Sequence, residues 1–138
     1  DVYSRTSDLL REDSLVMVAG QVNFRDGEPK VIAEEIVPIE KAEEKFARAS
    51  HIKLMTVGLE ENTLEKLARV VAENEGRCKL FIHCATPDAG EVIIESAAGK
   101  GLKPGPEVKE EIEALMGEGS IWYSAREDAV PSPASAEI

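Results

Sequence analysis

Three successive kinds of hydrophobic spacing predict an α+β fold for this 138-residue chain. Two early apolar runs alternate with period two around an Asp-Gly turn, which reads as a β-hairpin. Two later segments repeat their apolar residues at helical spacing, and strand-like runs lie around them. The predicted order is a short helix, the hairpin and a connecting helix over residues 1–49. A small domain of order β-α-β-β-α-β follows over 50–124, with helices on one face of a mixed or antiparallel sheet. A mobile tail is expected over 125–138.

Residues 2–12, VYSRTSDLLRE, favour a short helix with Val2, Leu9 and Leu10 as apolar contacts, and Tyr3 in position to join them. The hairpin spans LVMVAGQVNFRDGEPKVIAEEIVP from Leu15 to Pro38. Val16, Val18, Val22 and Phe24 share one face of its first run. The second places Ile32 and Ile36 on one face and Val31 and Val37 on the other. Such a hairpin is marginal in water, so further sheet is expected to cover it, supplied by the later half of the chain or by strands upstream. A helix with Ile39, Ala42, Phe46 and Ala49 inward follows Pro38. Its like-charge pairs Glu40/Glu44 and Lys41/Lys45 leave its stability to packing.

The run from His51 to Val57 alternates and predicts a half-buried strand, with His51 as a surface or edge residue. Asn62, with Glu65 three residues later, has the pattern of a capping box; Leu64, Leu67, Ala68 and Val71 form one stripe, and Gly76 ends the helix. The runs 79–84 and 91–95 form a second hairpin around Thr86-Pro87-Asp88-Ala89-Gly90. Pro106 suits the first position of a helix striped by Val108, Ile112, Leu115 and Met116. Ser120-Ile121-Trp122-Tyr123 reads as a last strand.

Composition narrows the function classes. Formal net charge is −11, from 16 basic and 27 acidic residues, with no basic block. Gripping nucleic acid through phosphates needs concentrated Lys and Arg. The chain therefore argues against strong DNA binding by this piece alone and for a protein partner. No apolar run reaches the roughly 20 residues of a membrane span. No secretory signal is visible, which with two unpaired-looking cysteines, Cys78 and Cys84, points to the cytoplasm. The chain starts at Asp1, inside a helix-like segment, and reads as a piece of a longer protein.

No local pattern assembles a self-contained active site. Cys78, His83, Cys84 and His51 do not have zinc spacing, and His83 and Cys84 face opposite sides of one strand. Gly99-Lys100-Gly101 lacks the Ser or Thr and the upstream glycine of a phosphate loop. Lys100 and Lys103, in an acid-free stretch ahead of a helix start, are the candidates for an anion or acidic-partner contact. The pairs Glu34/Glu35 and Glu43/Glu44 do not flank a substrate, and neither histidine sits in a nucleophile–base signature. No catalytic, metal or cofactor-binding residue is predicted.

The first 54 residues carry a family resemblance. They show a helix ending in Leu-Leu-Arg-Glu-Asp, then Val18-x-Gly20-x-Val22, the Arg-x-Gly-Glu turn and Ile-Ala-Glu-Glu-Ile before Pro38. An Ala-bearing helix then leads to His51-Ile-Lys-Leu. This series closely resembles the C-terminal region of the alpha subunits of bacterial DNA polymerase III, the C-family replicative polymerases; the match is looser after residue 54. The resemblance implies that the hairpin is the end of an OB-fold β-barrel placed near the single-stranded template. It also implies that the domain from about residue 50 contacts the clamp-loader subunit tau and so the replisome. OB folds hold strands by aromatic stacking and a basic groove. Phe24, Arg25 and Lys30 are the residues available here, although core packing is the preferred reading for Phe24. The parent chain would be a DNA-directed DNA polymerase, a nucleotidyltransferase whose catalytic carboxylates lie elsewhere, and the piece itself is expected to be non-catalytic, without cofactor. The competing reading is an independent acidic adaptor domain whose hairpin only looks OB-like.

Overall fold

The computed structural model describes residues 2–132. The chain divides into two compact units, Asp1–Lys45 and Phe46–Ile138.

The first unit opens with α1 (Val2–Thr6), which tightens into a single 3-10 turn at Ser7–Leu9. The predicted helix over 2–12 is thus half as long. Ser14 closes the turn after it, its Oγ–H donating to the Arg11 carbonyl at 2.5 Å with the Leu9 carbonyl 3.1 Å away. Tyr3 and Leu10 are exposed rather than packed. Strands β1 (Val16–Asn23) and β2 (Lys30–Pro38) pair antiparallel as a two-stranded sheet. A bulge lies between them: Ala19 pairs with Glu35 but Gly20 with Ala33, leaving Glu34 as the extra residue. One inserted residue reverses the facing of everything beyond it. Ile36 therefore stands opposite Val18 while Val31, not Ile32, stands opposite Val22. The expected shared face of Ile32 and Ile36 is lost for this reason. Gly20 is required at the bulge, since a Cβ there would run into the Ile32 carbonyl.

Asp-Gly serves the hairpin as predicted, with Gly27 at φ +79° and its N–H donating to the Phe24 carbonyl at 3.2 Å. That turn places Phe24 beyond the end of β1, where it is 69% exposed, so core packing of this ring is overturned. Helix α2 (Ile39–Phe46) stops before Ala49, which belongs to the next strand. Its buried residue is Ala42, and Lys45 pairs with Glu35 of β2 at 2.8 Å. Among the described residues there is no closed barrel: the sheets hold two, four and two strands.

The second unit is built on a four-stranded mixed sheet. Its strands are β3 (Ala49–Met55), β5 (Lys79–Thr86), β6 (Gly90–Glu95) and β8 (Ile121–Ser124), in the order β6-β5-β3-β8. β3 and β5 are parallel, connected through α3 (Glu61–Glu73); the other pairs are antiparallel. Two short strands, β4 (Glu75–Gly76) and β7 (Gly101–Leu102), form a separate ladder that the hydrophobic pattern does not announce. Helix α4 (Pro106–Met116) starts on proline as predicted, and the Tyr123 hydroxyl ties its cap residue Gly105 to β8 at 3.1 Å.

Helix α3 begins earlier than the capping-box reading. Glu60 is its cap residue and makes no side-chain cap bond, with Leu64 N–H closing the first turn onto the Glu60 carbonyl. At the other end Asn74, not Gly76, is the cap and bonds back to the Val70 carbonyl. The core joins one face of the sheet to both helices: Ile52, Leu54, Leu80, Cys84 and Ile121 against Leu67, Val108 and Ile112. Those three strands alternate, so their neighbours His51, Phe81, His83 and Trp122 lie on the opposite face. The last described segment does not run free of the fold, because Trp122 Nε1–H donates to Val130 O at 3.2 Å and Ser132 is buried. The tail expected to be mobile over 125–138 otherwise falls, at 133–138, outside the described residues. No helix among the described residues is long and apolar enough to cross a membrane.

Candidate functional site

The residues singled out from the sequence fall into separate places. Phe24 and Arg25 lie in the first hairpin's turn, and Lys30 begins the returning strand. Arg25 N–H bonds to Asn23 Oδ1, which fixes the loop backbone, and Lys30 lies 3.4 Å from Asp26. All three residues are exposed. An aromatic ring and two cations are thus presented at one hairpin end, with Lys30 paired to Asp26.

Lys100 and Lys103 are separated by the fold. Lys103 follows β7, its N–H bonding to the Asn74 carbonyl. Lys100 instead lines a surface groove of about 420 Å³ in the second unit. Arg48, Arg77 and Lys79 share that groove with Lys100, and Glu95 and Glu127 are its acids. Its construction follows from the strand ends. Arg48 precedes β3 and its carbonyl accepts the Lys79 N–H at 3.1 Å, which brings the starts of parallel β3 and β5 together. The Arg77 guanidinium reaches across to the Ala47 carbonyl. Gly76 and Gly101 are cross-strand partners, and a Cβ on either would strike the opposing backbone. A turn over 97–100, with Gly99 at φ +80° and Lys100 N–H on the Ala97 carbonyl, carries Lys100 to the rim. Lys79 pairs with Glu95 at 2.6 Å and Lys100 with Glu75 at 3.5 Å.

A third cluster has no local signature in the sequence. His51, expected at a surface or edge, is fully buried, as is His83. The His51 ring stacks between Phe81 and Trp122, with centroids 5.4 and 5.3 Å away. The hydrogen bonds fix the tautomers. Ser124 Oγ donates to the Arg126 carbonyl, so it accepts from His51 Nε2–H at 2.9 Å. His51 Nδ1 is then an acceptor and takes His83 Nε2–H at 3.1 Å. The series ends at His83 Nδ1, buried without a hydrogen-bond partner and 3.3 Å from Glu91 Oε1. Burial, reinforced by His83 and opposed by Asp128, lowers the pKa of His51 to about 4. The same-face spacing of Phe81 and His83 is readable in sequence, whereas their meeting with His51 and Trp122 depends on strand order.

Cys78 and Cys84 are free, buried thiols, and burial pushes the Cys78 pKa up. Among the described residues no three His, Cys, Asp or Glu side chains come together as a metal site.

No protein-family model matches the chain. Among curated proteins, DNA polymerase III subunit alpha of Vibrio cholerae is 23% identical over 124 residues, covering 88% of this chain. The same subunit of Escherichia coli K12 is 25% identical over the same length and share. The chain spans 11% of the length of each. A match to 88% of the chain is longer than the larger unit alone can hold, so it takes in residues of both units. The chain is thus similar, over most of its length and across the boundary between its two units, to a short stretch of DNA polymerase III subunit alpha.

Proposed function

We propose that this chain is a non-catalytic segment from the C-terminal region of a replicative DNA polymerase alpha subunit. In this reading the first unit helps place single-stranded template and the second contacts the clamp-loader subunit tau and other replisome proteins. The observation that carries it is the similarity to DNA polymerase III subunit alpha along 88% of the chain. The exposed Phe24, Arg25 and Lys30 at the hairpin end support template contact, since stacking and charge suffice to hold a strand without reading its sequence. The acidic balance, −11, supports a protein rather than a nucleic acid as the main partner of the rest. The reading assigns no cofactor to this stretch and leaves nucleotidyl transfer to other parts of the parent chain.

Two measurements test it. Surface plasmon resonance with tau should show binding at micromolar concentration or tighter, and no binding with the second unit intact removes the partner assignment. Fluorescence anisotropy with a dT oligonucleotide should show weak, salt-sensitive binding that Phe24→Ala reduces by about 1–3 kcal/mol. Nucleotide incorporation by the 138-residue chain alone would overturn the non-catalytic assignment.

A further inference from the structure

We propose that the groove bounded by Arg48, Arg77, Lys79 and Lys100 is a binding site for phosphate groups, recognising their charge and not any attached base. It lies in the second unit and is independent of the template contact proposed for the hairpin. Four cations line it with the carboxylates of Glu95 and Glu127, and Glu75 pairs with Lys100 beside it, a local excess of +1 on a chain whose net charge is −11. A volume of about 420 Å³ falls in the range of small-ligand sites. The rest of the lining is glycine, alanine and serine, so it offers no ring for stacking a base. The charged groups it offers an anion are the cations, and guanidinium forks match phosphate oxygens in geometry.

The frame that carries two of the cations is braced before any ligand arrives. Arg77 is fixed on the Ala47 carbonyl, and the crossing of Gly76 and Gly101 pins the two segments that carry Arg77 and Lys100. The pairs Lys79–Glu95 and Lys100–Glu75 are exposed; such pairs are weak, and a multiply charged phosphate can displace their carboxylates. The phosphates of a nucleic-acid strand and those of a free polyphosphate offer this groove the same chemistry.

The test is a ¹H–¹⁵N NMR titration of the full chain with pyrophosphate, with a dT dodecanucleotide and with poly-glutamate. Saturable shifts in the 96–101 amides with either phosphate probe are expected. Arg48→Gln/Lys100→Gln, both exposed positions, should weaken that binding at least tenfold, with the melting temperature as the folding control. The hairpin double variant Arg25→Gln/Lys30→Gln should leave the groove shifts unchanged, which separates this site from the template reading. Tighter binding of the oligonucleotide would make a strand the ligand, and response to pyrophosphate alone a free polyphosphate; each sustains the site. Absence of shifts with both probes, an unchanged affinity in the groove variant, or equal binding of poly-glutamate would overturn it.

Discussion

His51 shows how a single side chain reports its surroundings. Ring stacking on two sides and a bond at each nitrogen make its neutral form the one that fits. Its folded pKa, about 4, lies below the ordinary 6.5. The unfolded chain therefore binds a proton first as pH falls. This contribution to stability is complete above pH 6.5, declines between 6.5 and 4, and changes no further below 4. A shift of this size corresponds to about 3 kcal/mol. Urea denaturation at a series of pH values should show the decline, and His51→Phe, which keeps an aromatic ring in place, should flatten that part of the curve. The same variant leaves His83 Nε2–H without its acceptor and should cost about 1–3 kcal/mol at pH 7. Gly20→Ala is the corresponding backbone test. Its Cβ meets the Ile32 carbonyl at the bulge, so a loss of about 1–3 kcal/mol is expected in the stability of the hairpin, read by amide hydrogen exchange.

At the scale of elements, the strand ends matter more than the strand middles. β8 is only four residues long, yet it closes one side of the sheet and carries Trp122, whose indole holds the 125–132 segment through Val130. Trp122→Phe should keep the stack on His51 and lose about 1 kcal/mol for the missing N–H bond. Trp122→Ala should lose about 3–5 kcal/mol, and equal losses in the two variants would show that the ring contributes nothing beyond its donor. The helices were readable from their stripes, and α4 starts on the predicted proline. At the end of α3 the boundary differed because Asn74 bonds back to the Val70 carbonyl and caps the helix ahead of Gly76, whereas its start at Glu60, ahead of Asn62, carries no side-chain cap bond. The β4–β7 ladder has no hydrophobic signature at all, because two residues per strand cannot show a period.

For the whole molecule, the two units differ in what holds them. Every member of the packed core cluster lies in Phe46–Ile138. The first unit has a two-stranded sheet on which Val18, Val22, Val31 and Ile32 are all exposed. An excised chain of residues 46–138 should therefore melt cooperatively by circular dichroism, whereas one of residues 1–45 should show no transition, as expected of an isolated hairpin. A cooperative transition in the shorter piece would mean that it has a core of its own. Period-two and period-3.6 spacing, the turn at Gly27 and Pro106 already specified the α+β class, both hairpins and the main helices, because each depends on residues close in sequence. The bulge at Glu34, the burial of His51 and the gathering of Arg48, Arg77, Lys79 and Lys100 into one groove required the folded chain. Strand order and register bring together residues dozens of positions apart, and no local pattern encodes such a distance.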